Sequence, residues 1–377
     1  MPEKPADFTH LENMTDDTGL LEHAIGSLPR RGEGYTTDDN ARALWVAAGW
    51  YHQLAQSAHP DRAQMKRLLR LADTYLAFLV WAQEPDGHFY NNFAYDRRKE
   101  AEQPSDDCLG RTLFSCAEAC RLLPDKDRRY VLTELLQNGF CTADRLVHLR
   151  GIAYTLAAAC SLMKMAETVP TEPAFATFIY KMMPELIDQF ESKLKAHYRN
   201  HADQDWHWFA SSITYSNGIL PWALLKARLI TGKSDTLRIA GEALDFLIEK
   251  MTAPEGHLRP VGNKGWCTRK SCAMWDQQPV DIMALALAAE EAAGAAAHPA
   301  RYLDVIEKAH AWFLGENDGQ RPMANLKTGA GYDGLLPDGV NRNQGAESTI
   351  AFLITELVYI RNLPDVKENK EVTGQTV

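Results

Sequence analysis

The chain has 377 residues, 45% of them hydrophobic, and a formal net charge of −10. Such a composition can bury a large core, and helical or α/β barrels often run this long undivided, so 1–377 reads as one domain. The acidic balance argues against a nucleic-acid binder, which needs a basic patch to replace phosphate counterions, and favours a neutral or cationic small ligand.

The N-terminal MPEKPADFTHLENMTDDTG lacks the apolar centre of a signal peptide. No stretch approaches the roughly 18 to 20 apolar residues of a membrane span. The seven cysteines are odd in number and include no CxxC pair. They read as buried free thiols of a reducing compartment, and no Cys/His spacing fits zinc. A cytoplasmic protein with no membrane partner is expected; its oligomeric state is open.

Along the chain the helical period dominates. A short pattern lies near Leu20. Residues 41–54 place Leu44, Trp45, Ala48 and Tyr51 on one stripe, and Asp38, Asp39 or Asn40 can cap that helix. The next pattern, about 63–81, stops at the turn Glu84-Pro85-Asp86-Gly87. Others start near Leu109, Arg129, Gly151, Pro173, Leu220, Thr236, Val280, Pro299 and Ala346, making about twelve in all. Strand signals are short, at 88–93 and 257–261. Long irregular stretches, about 84–107, 253–277 and 317–343, are of the length that usually carries function. The polar tail after Leu363 is expected to fray. Short joins alternating with long ones describe helical hairpins. About six of them in a ring give an all-α, double-layered toroid, with small β-hairpins on the loop rim.

Four polar clusters stand at helix starts: Thr37-Asp38-Asp39-Asn40, Ser105-Asp106-Asp107, Asp276-Gln277-Gln278-Pro279 and Asn343-Gln344-Gly345-Ala346-Glu347-Ser348. A fold that gathers helix starts around one axis brings them together, and converging acids, amides and aromatics suit a sugar-binding cleft. Either aspartate of the first cluster reads equally well as a cap. Two in a row, beside Tyr35 and followed by Arg42, exceed what capping needs, because Arg42 can hold a carboxylate in one orientation. The second cluster repeats that form with Asp106, Asp107 and Arg111, after Arg97 in Tyr95-Asp96-Arg97-Arg98; a cap with a solvated charge cluster is its plain alternative.

The aromatic patch Trp206-His207-Trp208-Phe209, followed by Thr214-Tyr215-Ser216-Asn217, fits stacking on pyranose faces and core packing about equally. Trp266 sits in a loop, outside any core stripe. The adjacent amides Gln277 and Gln278, like Asn343 and Gln344, can donate to and accept from neutral hydroxyls. Gly345 permits close backbone approach to a ligand. Glu347, in a first turn, suits a general base and equally an ordinary helix-start glutamate. No GxGxxG after a strand, GxxxxGK[ST] or GxSxG occurs, and the twelve histidines show no HExxH.

Taken together, TDDTG at 15–19 with His23, GYTTDDNARAL, YDRR, SDDCLGR, DQQP, YDGL and NRNQGAES resemble a bacterial family of helical-toroid proteins. Its members are often encoded beside glycosyltransferases or mannoside phosphorylases and labelled glycosyltransferase-associated. The resemblance runs from about 10 to 360. It implies an (α/α)6, six-hairpin glycosidase-like fold and, less directly, glycan chemistry. The chain departs from the family pattern at Ala210 and Ser216, where relatives carry Glu and the Asp of Tyr-Asp-Asn, and at Leu109, where His is usual.

The expected function is inverting hydrolysis of a short oligosaccharide, a mannose-containing one among the options, without metal or cofactor. Asp107 is expected as acid and Glu347 as base, with Asp39 and Asp276 as rivals. Tyr35, Asp38, Arg42, Arg97, Asp106, Arg111, Trp206, Trp208, Asn217, Trp266, Gln277, Gln278, Asn343 and Gln344 are the expected sugar contacts. A non-catalytic glycan-binding or accessory protein is the alternative, favoured by Ala210 and Ser216. A sugar epimerase is the third reading, disfavoured because no cleft motif supplies a histidine pair.

Overall fold

The structure, a computed structural model, describes residues 6–101 and 103–363. The described residues hold twelve α-helices: α1 (Thr9–Asn13), α2 (Thr37–Ala55), α3 (Arg62–Ala82), α4 (Asp106–Leu122), α5 (Lys126–Phe140), α6 (Leu149–Thr168), α7 (Pro173–His201), α8 (Ile219–Thr231), α9 (Ser234–Lys250), α10 (Pro279–Ala295), α11 (Ala300–Leu314) and α12 (Ala346–Arg361).

The even-numbered helices close a ring, α2 on α4, α4 on α6, α6 on α8, α8 on α10, α10 on α12 and α12 back on α2. Helices α3, α5, α7, α9 and α11 pack outside their hairpin partners, and α1 lies against α12. Sequence pattern dictates which helix goes where. Helix α3 buries Leu68, Leu71, Ala72, Tyr75, Leu76 and Leu79, the single stripe of an outer helix. Helix α2 is buried continuously from Thr37 to Trp50, and α10 from Pro279 to Ala289, as inner helices with neighbours on every side must be.

Contacts between helix starts show that the inner helices run in the same direction. Arg42 of α2 reaches Glu347 of α12, and Asn217, just before α8, reaches Asp281 of α10. Glycines make this convergence possible. A Cβ on Gly110 would lie 2.6 Å from the Gly151 carbonyl oxygen, and one on Gly218 would lie 2.2 Å from that of Ala284. Any side chain there would push neighbouring inner helices apart at the rim where their N-termini meet.

The loops entering this rim are tied by two-residue strand pairs. Tyr35–Thr36 joins Asn92–Phe93, and Ser212–Ile213 joins Cys267–Thr268. Of the expected strands, only the Asn92–Phe93 end of 88–93 is one, and 257–261 contributes an isolated bridge from Leu258 to Thr252. The expected helix near Leu20 is instead α1, earlier in the chain. Residues around Leu20 are held as a loop by Asn40, whose side chain accepts from the Leu20 N–H at 2.7 Å and donates to its carbonyl at 3.2 Å. Helix α2 starts at Thr37, so Asp38 and Asp39 lie in its first turn; its N-cap is Thr36. All seven cysteines are free thiols, but Cys141 and Cys272 are exposed, against the expectation of burial. No helix among the described residues is long and apolar enough to cross a membrane. The tail after Leu363 lies outside the described residues.

Candidate active site

At the rim of helix starts, two arginines gather the acids. Arg42, 2% exposed, donates from Nη2 to Asp39 at 2.7 Å and Asp38 at 3.3 Å, and from Nη1 to Glu347 at 3.0 Å. Arg111, one helix round the ring, donates to the same Asp38 oxygen and lies 3.9 Å from Glu347. Thr36 Oγ1 donates to the other Asp39 oxygen at 2.8 Å. Charges buried this deeply persist only when paired and hydrogen-bonded. Asp38 and Asp39 are buried, whereas the Glu347 side chain remains 42% exposed.

Electrostatics separate these acids. Burial disfavours the charged form of Asp38, yet Arg42 and Arg111 hold it below the usual carboxylate range. Burial pushes Asp39 up to about 7 against the pull of Arg42, with Asp38, Glu347 and Glu22 adding like charge.

Asp107 belongs to the α4 start. The Tyr215 hydroxyl donates to its Oδ2 at 2.7 Å. Arg150 lies 3.8 Å over the Tyr215 ring and donates to the Tyr215 carbonyl at 2.6 Å and to Thr214 Oγ1 at 2.6 Å. Asn217 fixes the same loop, accepting from the Thr214 N–H at 2.9 Å and donating to the Thr214 carbonyl at 2.9 Å. Its side chain and main-chain N–H also donate to Asp281 Oδ1, at 2.9 and 3.1 Å. Asp107 is therefore oriented through a chain of contacts across α4, α6, α8 and α10. Hydrogen bonds to charged groups contribute about 1.5–3 kcal/mol. Tyr215→Phe is expected to lower kcat about tenfold with little change in Tm; an unchanged kcat would remove Tyr215 from the site.

Asp281, 1% exposed, is pushed up to about 7 by burial, opposed by the two Asn217 bonds and by Arg150. Its folded value lies above the ordinary 3.8, so the folded chain binds the proton more tightly. The stability tied to the neutral acid is full below about pH 4 and is lost as pH rises to about 7. At roughly 1.4 kcal/mol per unit, that loss is on the order of a few kcal/mol. Asp281→Asn keeps an acceptor for Asn217. Its Tm is expected to match wild type near pH 4 and exceed it at pH 8; equal melting at both would contradict the burial argument.

The remaining candidates divide. Trp206 and Trp208 are core residues, against expectation. The Trp206 indole donates to the Ala210 carbonyl at 2.7 Å and its ring edges onto Phe246, while Trp208 is 1% exposed and packs on Phe209. Neither offers a face to a sugar. Trp266 is partly exposed, at φ 57, with its ring 6.3 Å from that of Tyr215, and is the indole that borders the site. Gln277 is buried, donating to Met274 and Asp318 and accepting from Trp312, so its amide is occupied within the fold. Gln278 is the partly exposed N-cap residue of α10. Asp276, at φ 64, sits just before α10 with its carboxylate toward Gly334, outside the arginine cluster.

Asp106 caps the next inner helix, accepting from the N–H groups of Val147 and His148 at 2.8 and 2.7 Å, which accounts for it structurally. Tyr35 is buried and donates to Asp16 at 2.7 Å; Arg97 pairs with Asp17 at the exposed surface at 3.0 Å. Asn343 accepts from the Gly26 N–H at 3.1 Å, and the Gln344 carbonyl meets His10 Nε2 of α1 at 2.8 Å, so both fasten N-terminal segments to the α12 start. Asn217 is fully buried and acts on the loop. Among the described residues no group of three or more His, Cys, Asp or Glu side chains is arranged to hold a metal ion.

Sequence reasoning missed Glu22, Arg150 and Asp281 as site residues. Asp281 had a signal, a lone acid in the apolar run Val280 to Leu287. Glu22 and Arg150 had none, because only the folded chain brings them to the rim.

No family model and no curated protein matches the chain. Solved structures do. Cellobiose 2-epimerase from Bacillus thermoamylovorans is similar with a TM-score of 0.66 at 11% identity, over 93% of this chain and 96% of that one. A GH76 α-mannanase from Bacteroides thetaiotaomicron gives 0.60 at 9% identity, over 97% and 95%. The chain is an (α/α)6 toroid of six helical hairpins. A GH76A α-1,6-mannanase from Salegentibacter, an inactive variant with two consecutive aspartates changed to asparagine and α-1,6-mannotriose bound, also gives 0.60 at 9% identity, over 93% and 96%. At these identities the likeness establishes the fold.

Proposed function

We propose that the protein is a carbohydrate-active enzyme that hydrolyses a glycosidic bond of a short oligosaccharide with inversion. The observation carrying this reading is the gathering of Asp38, Asp39 and Glu347 by Arg42 and Arg111 at the same rim as Asp107. Hydrolysis passes through an oxocarbenium-like transition state, which negative charge beside the anomeric carbon stabilises. It needs one carboxyl as proton donor and another, about 6.5–9.5 Å away, to take a proton from water. Asp107 accepts from Tyr215 and Glu347 accepts from Arg42, so both stand as acceptors. We assign Asp107 as the base, reversing the acid role expected from sequence, and Glu347 as the carboxylate that fixes the charge of the cleft. The mannanase inactivated at two consecutive aspartates supports the reading, since this chain carries such pairs at 38–39 and 106–107. A mannose-containing substrate fits the same comparison.

Epimerisation is less well supported. His10 is engaged by the Gln344 carbonyl and His148 by Asp106, so they form no facing pair. A glycan-binding protein without turnover is the second reading, favoured by Ser216, buried at φ 47 with no hydrogen-bond partner for Oγ among the described residues, where the family pattern that the chain resembles has Asp. Incubation with a panel of mannosides, glucosides and galactosides separates the three. Hydrolysis releases a shorter sugar, epimerisation gives a new sugar of constant mass, and binding alone shifts resonances. In the last case Ala210→Glu with Ser216→Asp is the informative variant.

A further inference from the structure

We propose that Glu22 is the proton donor of this site, a role resting on the hydrolase reading above. Its main chain is fixed at the meeting point of α2 and α12. The Glu22 N–H donates to the Gly34 carbonyl at 3.0 Å, and the Glu22 carbonyl accepts from the Ala346 N–H at 2.9 Å, one residue before Glu347. The preceding residue, Leu21, bridges to Tyr35, just ahead of the Asp38-Asp39 turn. Glu22 is thus held beside both halves of the carboxylate cluster by backbone bonds. Its side chain keeps 30% exposure and, among the described residues, makes no salt bridge with an arginine; the His23 imidazole lies 3.4 Å away.

This is the arrangement a general acid needs. Asp38 and Glu347 are each held by arginine, whereas Glu22, near enough to feel their charge, has no arginine salt bridge among the described residues. The other titratable groups around it include Asp39, itself raised to about 7, Glu33, before α2, and Glu100, on the loop before α4. Burial, then Asp38, Glu33, Glu347 and Glu100, push its carboxyl up to about 7, so a large share of it holds a proton near neutral pH. A carboxyl raised beside Asp38, which the arginines hold low, sets the donor apart from its neighbour.

The step balances. Glu22 gives its proton to the glycosidic oxygen as the bond from that oxygen to the anomeric carbon breaks, and the bonding pair stays on the departing oxygen. Water attacks the anomeric carbon from the opposite face and gives its proton to Asp107. The proton on Asp107 then leaves to solvent, and Glu22 takes one back.

Glu22→Gln tests this, assayed on an unactivated oligosaccharide that the wild type cleaves and on the matching 2,4-dinitrophenyl glycoside, whose leaving group needs no proton. The expected result is a 10²- to 10⁴-fold loss on the oligosaccharide with activity on the dinitrophenyl glycoside within about tenfold of wild type. The fall of kcat/KM above pH 7 should also disappear. Oligosaccharide cleavage within fivefold of wild type, or equal losses on both substrates, would overturn the assignment while leaving the hydrolase reading standing. A wild type inert on every glycoside would overturn both. Carbon-13 titration of labelled glutamate in the folded protein adds a readout free of turnover. A resonance near pH 7 that is missing from Glu22→Gln supports the proposal, and ordinary titration of Glu22 contradicts it.

Discussion

Asp107→Asn is expected to lose oligosaccharide hydrolysis by about 10²- to 10⁴-fold while its Tm stays within a few degrees of wild type. The amide keeps an oxygen to accept from Tyr215, so the loop from 214 to 217 should hold its shape, but it cannot take a proton from water. Substrate binding should change little, because the lost contribution arises in the transition state. Glu347→Gln is expected to fall similarly, since it removes the carboxylate charge that Arg42 holds at the opening. It should also lower the pH at which the donor limb appears, because Glu347 is one of the charges raising Glu22. Full activity in either variant would remove that residue from the mechanism.

Arg42→Ala is the substitution with the largest expected effect on stability. Arg42 is almost fully buried and meets three carboxylates, and its removal leaves buried Asp39 without an arginine and Asp38 with Arg111 alone. Breaking a buried ion pair from one side costs about 3–5 kcal/mol. The stranded acids can escape part of that penalty by binding protons, so the Tm deficit should be larger at pH 8 than at pH 5. Arg42→Lys should recover only part of it, because an ammonium cannot span the three partners as the planar guanidinium does. A deficit independent of pH would mean that lost packing, not stranded charge, is the cause.

The ring of hairpins was legible because two local signals agreed. Helices such as α3 carried the one-sided apolar stripe of an outer layer, and long loops ended in polar clusters where the next inner helix begins. Arg42 was legible as a partner for a carboxylate of its own cluster, but its reach across the ring to Glu347 appears only in the folded chain. Side-chain direction was not legible. A Trp-His-Trp-Phe run has the same composition whether it faces a sugar or a core, and the fold turns Trp206 and Trp208 inward. Gln277 looked free for a hydroxyl, yet Asp318 and Trp312, distant in sequence, engage it. Glu22 lay in a stretch read as the start of a helix. Its surroundings come from Gly34 and Ala346, which no local pattern connects to it.

The most direct measurement is proton NMR of the anomeric signals while the wild-type protein acts on a mannose-containing oligosaccharide of known linkage. The account predicts a new reducing end that first appears with the anomeric configuration opposite to that of the cleaved bond and then mutarotates. A product that first appears with retained configuration, an epimerised sugar of unchanged mass, or line broadening without conversion would each contradict it.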